Sequence, residues 1–139
     1  MNARLARLVH TGAVRGARQL VTTELAGTVT AALEAHDWRT WPLDTHAAAD
    51  KAAFLRAAAV AFALPDWFGH NWDALVDALR QLPAGAPRAA VVWTGAASLS
   101  AHDPDTFATA LEILHEAAEA AGIVVLLVTP TALPGVRPL

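Results

Sequence analysis

The chain has 139 residues, 55% of them hydrophobic and 17% charged, with no cysteine and a formal net charge of −3. That length holds one ordinary core and leaves little for a second, and the apolar content excludes an extended disordered chain and suits strands buried on both faces. Without cysteine there is neither a disulfide framework nor a thiolate metal site, which fits a reducing intracellular setting.

Residues 1–21 scatter four arginines through a stretch with no continuous apolar run, unlike a signal peptide. No segment approaches the ~20 apolar residues of a membrane helix, so a cytoplasmic protein without membrane contact is predicted. Residues 14–22 read as a strand leading to a helix that runs through about Ala35, and Gly27 costs about 1 kcal/mol relative to Ala, which shifts the expected start to Thr28. Residues 38–43 alternate large apolar and polar side chains and form a strand that enters a polar turn at Asp44-Thr45-His46.

Residues 50–63 carry apolar side chains at helical spacing, with Asp50 as N-cap and Pro65 as terminator. After the loop Asp66-Trp67-Phe68-Gly69-His70, Asn71 caps a helix expected to reach about Leu82, its stripe being Trp72, Leu75, Val76, Leu79 and Leu82. Residues 83–87 are a breaker-rich link, and residues 89–94 (AAVVWT) are a buried strand. Residues 95–101 are irregular or a single helical turn. Asp103-Pro104-Asp105 starts a helix that Gly122 stops, and residues 123–129 (IVVLLVT) are a second buried strand.

The end of the chain, with Pro130, Pro134 and Pro138, is expected to fray, leaving residues 131–139 as a flexible tail. Apolar strands separated by helices predict an α/β fold with a small parallel sheet of three core strands. A fourth strand is available from an extension at residues 1–36, which precedes a main unit at residues 37–130.

Charge is unevenly distributed. Residues 1–36 hold four Arg against two Glu, a balance of +2, whereas residues 37–139 hold six Lys or Arg against eleven Asp or Glu, a balance of −5. Residues 57–79 contain no Lys or Arg, yet Asp66, Asp73 and Asp77 lie there. A nucleic-acid binder needs the opposite sign.

Adjacent loop aromatics such as Trp67 and Phe68 seldom both find core, so at least one ring is expected to face outward; the competing account staples one to the core and caps the helix with the other. Asp73 and Asp77, four apart, stack on one helix face and repel by about 0.2–0.5 kcal/mol. The helix dipole accounts for Asp73 but does not reach Asp77, and an ordinary solvated face is the alternative.

The segment LPDWFGHNWDALVDAL resembles the central signature of the barstar family: two loop aromatics and a Gly ahead of Asn, then a helix with two aspartates four apart. The likeness extends over the order of elements from about Trp38 to Thr129. It implies an inhibitor that occupies a ribonuclease active site and performs no chemistry itself. The partner-binding residues would be Trp67, Phe68, Gly69, His70, Asn71, Asp73 and Asp77, with Glu116 as the acid that the family places late in the helix before the last strand.

A ribonuclease must hold a phosphodiester with Arg, Lys and His, and a carboxylate on a rigid helix can take the place of phosphate. Asp77 is assigned that role, with Trp67 as the aromatic hot spot beside it. The family's loop tyrosines are replaced here by Trp67 and Phe68, its loop acid by His70, and a helix tryptophan by Val76.

The implied partner is a secreted bacterial ribonuclease, barnase-like or of another guanyl-specific type, with a basic active site; the free chain is expected to be a monomer with no cofactor and no metal. Two alternatives compete. His70, Asp73 and Asp77 are spaced three and four apart and could meet at a metal or serve as acid and base, but no HExxH, P-loop, GxGxxG or GxSxG pattern occurs. The other is a barstar-like immunity or adaptor protein for a different toxin or basic partner.

Overall fold

Two of the strands are apolar throughout because both of their faces are buried, and the other two, with exposed residues among their buried ones, take the edges. In a computed structural model describing residues 2–65, 70–82 and 88–139, four strands form one parallel sheet in the order β1-β4-β3-β2. They are β1 (Gly16–Val21), β2 (Arg39–Asp44), β3 (Ala89–Thr94) and β4 (Val124–Thr129). Every residue of β4 is buried, as a central strand with helices on both sides requires.

Side chains alternate between two cores. Val91, Trp93, Val125 and Leu127 point to one face, beneath α3 (Lys51–Ala61), α4 (Trp72–Arg80), α5 (Ala96–His102) and α6 (Pro104–Ala121). Ala90, Val92, Val124 and Leu126 point to the other, against α1 (Ala3–Thr11) and α2 (Ala26–Glu34). The result is a three-layer α/β arrangement, and among the described residues no helix is long and apolar enough to cross a membrane.

Most helix ends carry the chemistry that their residues foretell. Asp50, Asn71 and Asp103 each accept a hydrogen bond from the backbone N–H three residues on. Pro104 opens α6 and Gly122, at φ 75°, closes it. Helix α2 begins at Ala26 rather than Thr28, so Gly27 lies inside it, and α4 ends at Arg80, short of Leu82. Residues 96–102 form a two-turn helix, more than the single turn expected.

Residues 1–36 contain one element absent from the sequence reading. Helix α1 is capped by Asn2, whose side chain accepts from the Arg4 N–H, and it buries Leu5, Leu8 and Val9. The Arg88 guanidinium donates to the carbonyls of Val9 and His10 at its far end.

The tail, expected to fray, is tied to β1 instead. Gln19 donates from Nε2 to the carbonyls of Leu133 and Val136 and accepts at Oε1 from the Leu133 N–H. Its backbone pairs with Arg137 and Leu139, and Leu133 and Val136 are buried. His115 Nδ1 accepts from the Ala17 N–H, so the outer edge of β1 is covered by side chain and tail. At the opposite edge, Arg39 and Thr45 donate toward β3. Alternation therefore puts Pro42, which has no N–H, at an outward position where a strand cannot add.

Candidate functional site

Helix α4 is amphipathic, and its buried side determines where its charges stand. Leu75 and Leu79 are in the core. Trp72, at its first residue, rests on Phe54 with ring centroids 5.9 Å apart; Phe54 rests on Trp93 at 5.7 Å, and Trp93 on Phe107 at 5.7 Å. Trp93 is itself fixed by donating from Nε1 to the buried Thr45 hydroxyl at 2.9 Å. This run of rings, each pair contributing about 0.5–1.5 kcal/mol beyond area burial, ties the start of α4 to the centre of the sheet. The Asn71 side chain accepts from the Ala74 N–H at 2.8 Å and fixes the first turn.

With that side buried, Asp73 and Asp77 project from the other, both exposed. Asp73 lies in the first turn, where the helix dipole favours it. Asp77 has a partner just past the Arg-free stretch: the Arg80 guanidinium lies 3.8 Å from its carboxylate, with the side chains 74% (Arg80) and 70% (Asp77) exposed. A pair that open to water contributes about 0–1 kcal/mol and leaves the carboxylate accessible. His70, just before the cap, adopts a left-handed backbone with φ 50°. Trp67, Phe68 and Gly69 lie outside the described residues.

Glu116 is exposed on α6 and lines a groove of about 280 Å³ with Ile113 and Ala117 on its own helix and Val76, Leu79 and Arg80 on α4. The two neighbouring glutamates of α6 face elsewhere. Glu112 lines a larger cavity with Phe107, Val136 and Arg137 on the β1 side, and Glu119 lies 3.2 Å from His115 Nε2. Of these acids, therefore, Glu116 is the one that shares a groove with α4.

The surface is not purely acidic. Besides Arg80, Lys51 of α3 places its ammonium 5.3 Å from the Trp72 ring centroid. Both cations come from outside residues 57–79, and Arg80 is the site residue that sequence reasoning missed. Its signal was the i,i+3 spacing to Asp77. Among the described residues, no three His, Asp or Glu side chains gather where they could hold a metal.

The family model for Barstar (barnase inhibitor) matches residues 38–128, from the residue before β2 to the penultimate residue of β4, and so spans this helix and groove. The chain belongs to the barstar family. Barstar-family proteins are inhibitors and not enzymes, so the acid–base reading of His70, Asp73 and Asp77 is set aside. No curated protein matches the chain. Residues 1–37, which supply α1, β1 and α2, precede the matched region and complete the second face of the barstar-family sheet.

Proposed function

We propose that this barstar-family chain inhibits a small secreted bacterial ribonuclease, barnase-like or of another guanyl-specific type, by seating α4 and the loop before it in a basic active site. One observation carries the reading: Asp73 and Asp77 stand one turn apart on the exposed side of a helix whose other side is buried. A carboxylate held that rigidly loses little freedom on binding and can form charge-assisted hydrogen bonds with the cations that hold a phosphodiester. Asp77 is assigned the phosphate-mimicking role, Asp73 and Glu116 flank it, and Trp67, Phe68, Gly69, His70 and Asn71 form the adjoining contact. The inhibitor is proposed to act as a monomer in the cytoplasm, protecting the cell before its ribonuclease is exported.

The test is titration of a small guanyl-specific ribonuclease with the full chain, read by cleavage of a fluorogenic RNA. Loss of activity at an equimolar ratio is expected. Association should slow steeply with added salt, because attraction between opposite charged faces is screened beyond about 8 Å at physiological ionic strength. A ribonuclease panel left fully active would overturn the proposal, and binding without inhibition would contradict occupation of the active site.

A further inference from the structure

The acidic face contains a cation that a uniformly basic partner would not tolerate. Arg80 occupies the last turn of α4, 74% exposed, with its guanidinium 3.8 Å from the Asp77 carboxylate. It also lines the groove that Glu116 enters from α6, whose floor includes Val76, Leu79, Ile113 and Ala117. Asp77, Arg80 and Glu116 therefore border one surface with signs minus, plus and minus.

We infer that Arg80 is a specificity-determining residue, selecting a ribonuclease that sets a carboxylate, flanked by cations, against the C-terminal end of α4. The inference rests on the proposed inhibitor reading and deepens it. In the free protein Arg80 shares the Asp77 carboxylate with water. When a basic active site closes on this face, its cations take that carboxylate and the water leaves.

A guanidinium with five donors then needs new acceptors, and leaving it without them in a dry interface is costly. A carboxylate from the partner meets that need best, because it can pair with the planar fork through two parallel bonds. A partner lysine or arginine at the same place adds like-charge repulsion as the local dielectric falls. The groove beside Arg80 has about 280 Å³ of space and an apolar floor, which suits the methylene stem of an incoming glutamate. A carboxylate among cations is also the arrangement of a phosphodiester-cleaving site whose general base is an acid.

The test compares wild type, Arg80→Lys and Arg80→Glu in the full chain against barnase and a panel of other small guanyl-specific ribonucleases, measuring association rates and inhibition. Melting temperatures establish that each variant is folded. Reversing the charge should reorder the panel: enzymes that the wild type inhibits best lose about tenfold or more in affinity, and those it inhibits poorly gain. Arg80→Lys should keep the wild-type order with weaker discrimination.

A uniform shift across the panel, or none, overturns the role of Arg80 while leaving the inhibitor reading intact. If the wild type binds no enzyme and Arg80→Glu binds some, the discriminating role stands. If no variant binds any, both readings fall.

Discussion

Replacing Gln19 by Leu isolates what holds the C-terminal tail to the sheet. Gln19 is 7% exposed on the edge strand β1. Its Nε2 donates to Val136 O at 2.8 Å and Leu133 O at 3.3 Å, and its Oε1 accepts from Leu133 N at 2.7 Å. Leucine keeps nearly the same volume and apolar stem, so the change removes these bonds with little loss of packing. A buried donor or acceptor left unsatisfied costs about 1–3 kcal/mol, and here the Leu133 N–H and the Val136 carbonyl both lose their Gln19 partner. Release of the tail to water sets a ceiling, because it gives up the burial of Leu133 and Val136, worth about 1.5–3 kcal/mol each, and regains chain entropy. A loss of about 2–4 kcal/mol is therefore expected in urea denaturation followed by tryptophan fluorescence, with faster proteolysis near residues 130–139. Inhibition should be unchanged, since among the described residues the Gln19 side chain bonds to the tail alone. Stability within about 0.5 kcal/mol of wild type, with the tail equally resistant to protease, would refute this reasoning.

Gly27→Ala should stabilise the protein by about 1 kcal/mol in the same assay, because Gly27 lies inside α2 and a Cβ there meets nothing within 4 Å; a destabilised variant would contradict the placement. Gly95→Ala should be severely destabilised, since φ is 74° and the added Cβ would fall 2.3 Å from the His46 backbone nitrogen; a normal melting temperature would show that the β2 and β3 ends do not approach so closely. Hydrogen bonds from the His46 backbone N–H and then its ring hold Asp44 below the usual carboxylate range. A depressed folded value stabilises above the unfolded pKa and is lost as pH falls through the folded one. Asp44→Asn should accordingly melt slightly below wild type near neutrality and converge with it in acid, and a gap that widens on acidification would contradict the assignment.

The parts of the fold legible in the sequence are those governed by neighbouring residues. Asp50, Asn71, Asp103-Pro104 and Gly122 mark helix ends because a cap is a contact over three or four positions. β3 and β4 are visible as apolar runs because both faces are buried. In α1, Arg4 and Arg7 interrupt the apolar run, yet Leu5, Leu8 and Val9 between Asn2 and Gly12 have the spacing of a buried stripe.

The tail is the opposite case. Its prolines argue locally for fraying, and what ties it down is a side chain 114 positions from Leu133. The site divides in the same way. The one-turn separation of Asp73 and Asp77 follows from helix geometry, whereas the choice of Glu116 over Glu112 and Glu119 depends on how α6 packs beside α4. Arg80 escapes notice because a tally of charge along the chain stops at residue 79, one position before the cation that folds back on Asp77.

The most direct measurement of the central claim is the inhibition constant of Asp77→Ala against a ribonuclease that the wild type blocks. A carboxylate at the centre of a basic pocket is a hot-spot residue, so a loss of at least about 2 kcal/mol, near thirtyfold in affinity, is expected. Thermal stability should change little, since the substitution removes a weak exposed pair with Arg80 and a repulsion with Asp73. A variant that inhibits as tightly as the wild type, equally stable, would contradict the assignment of α4 as the face that enters the active site.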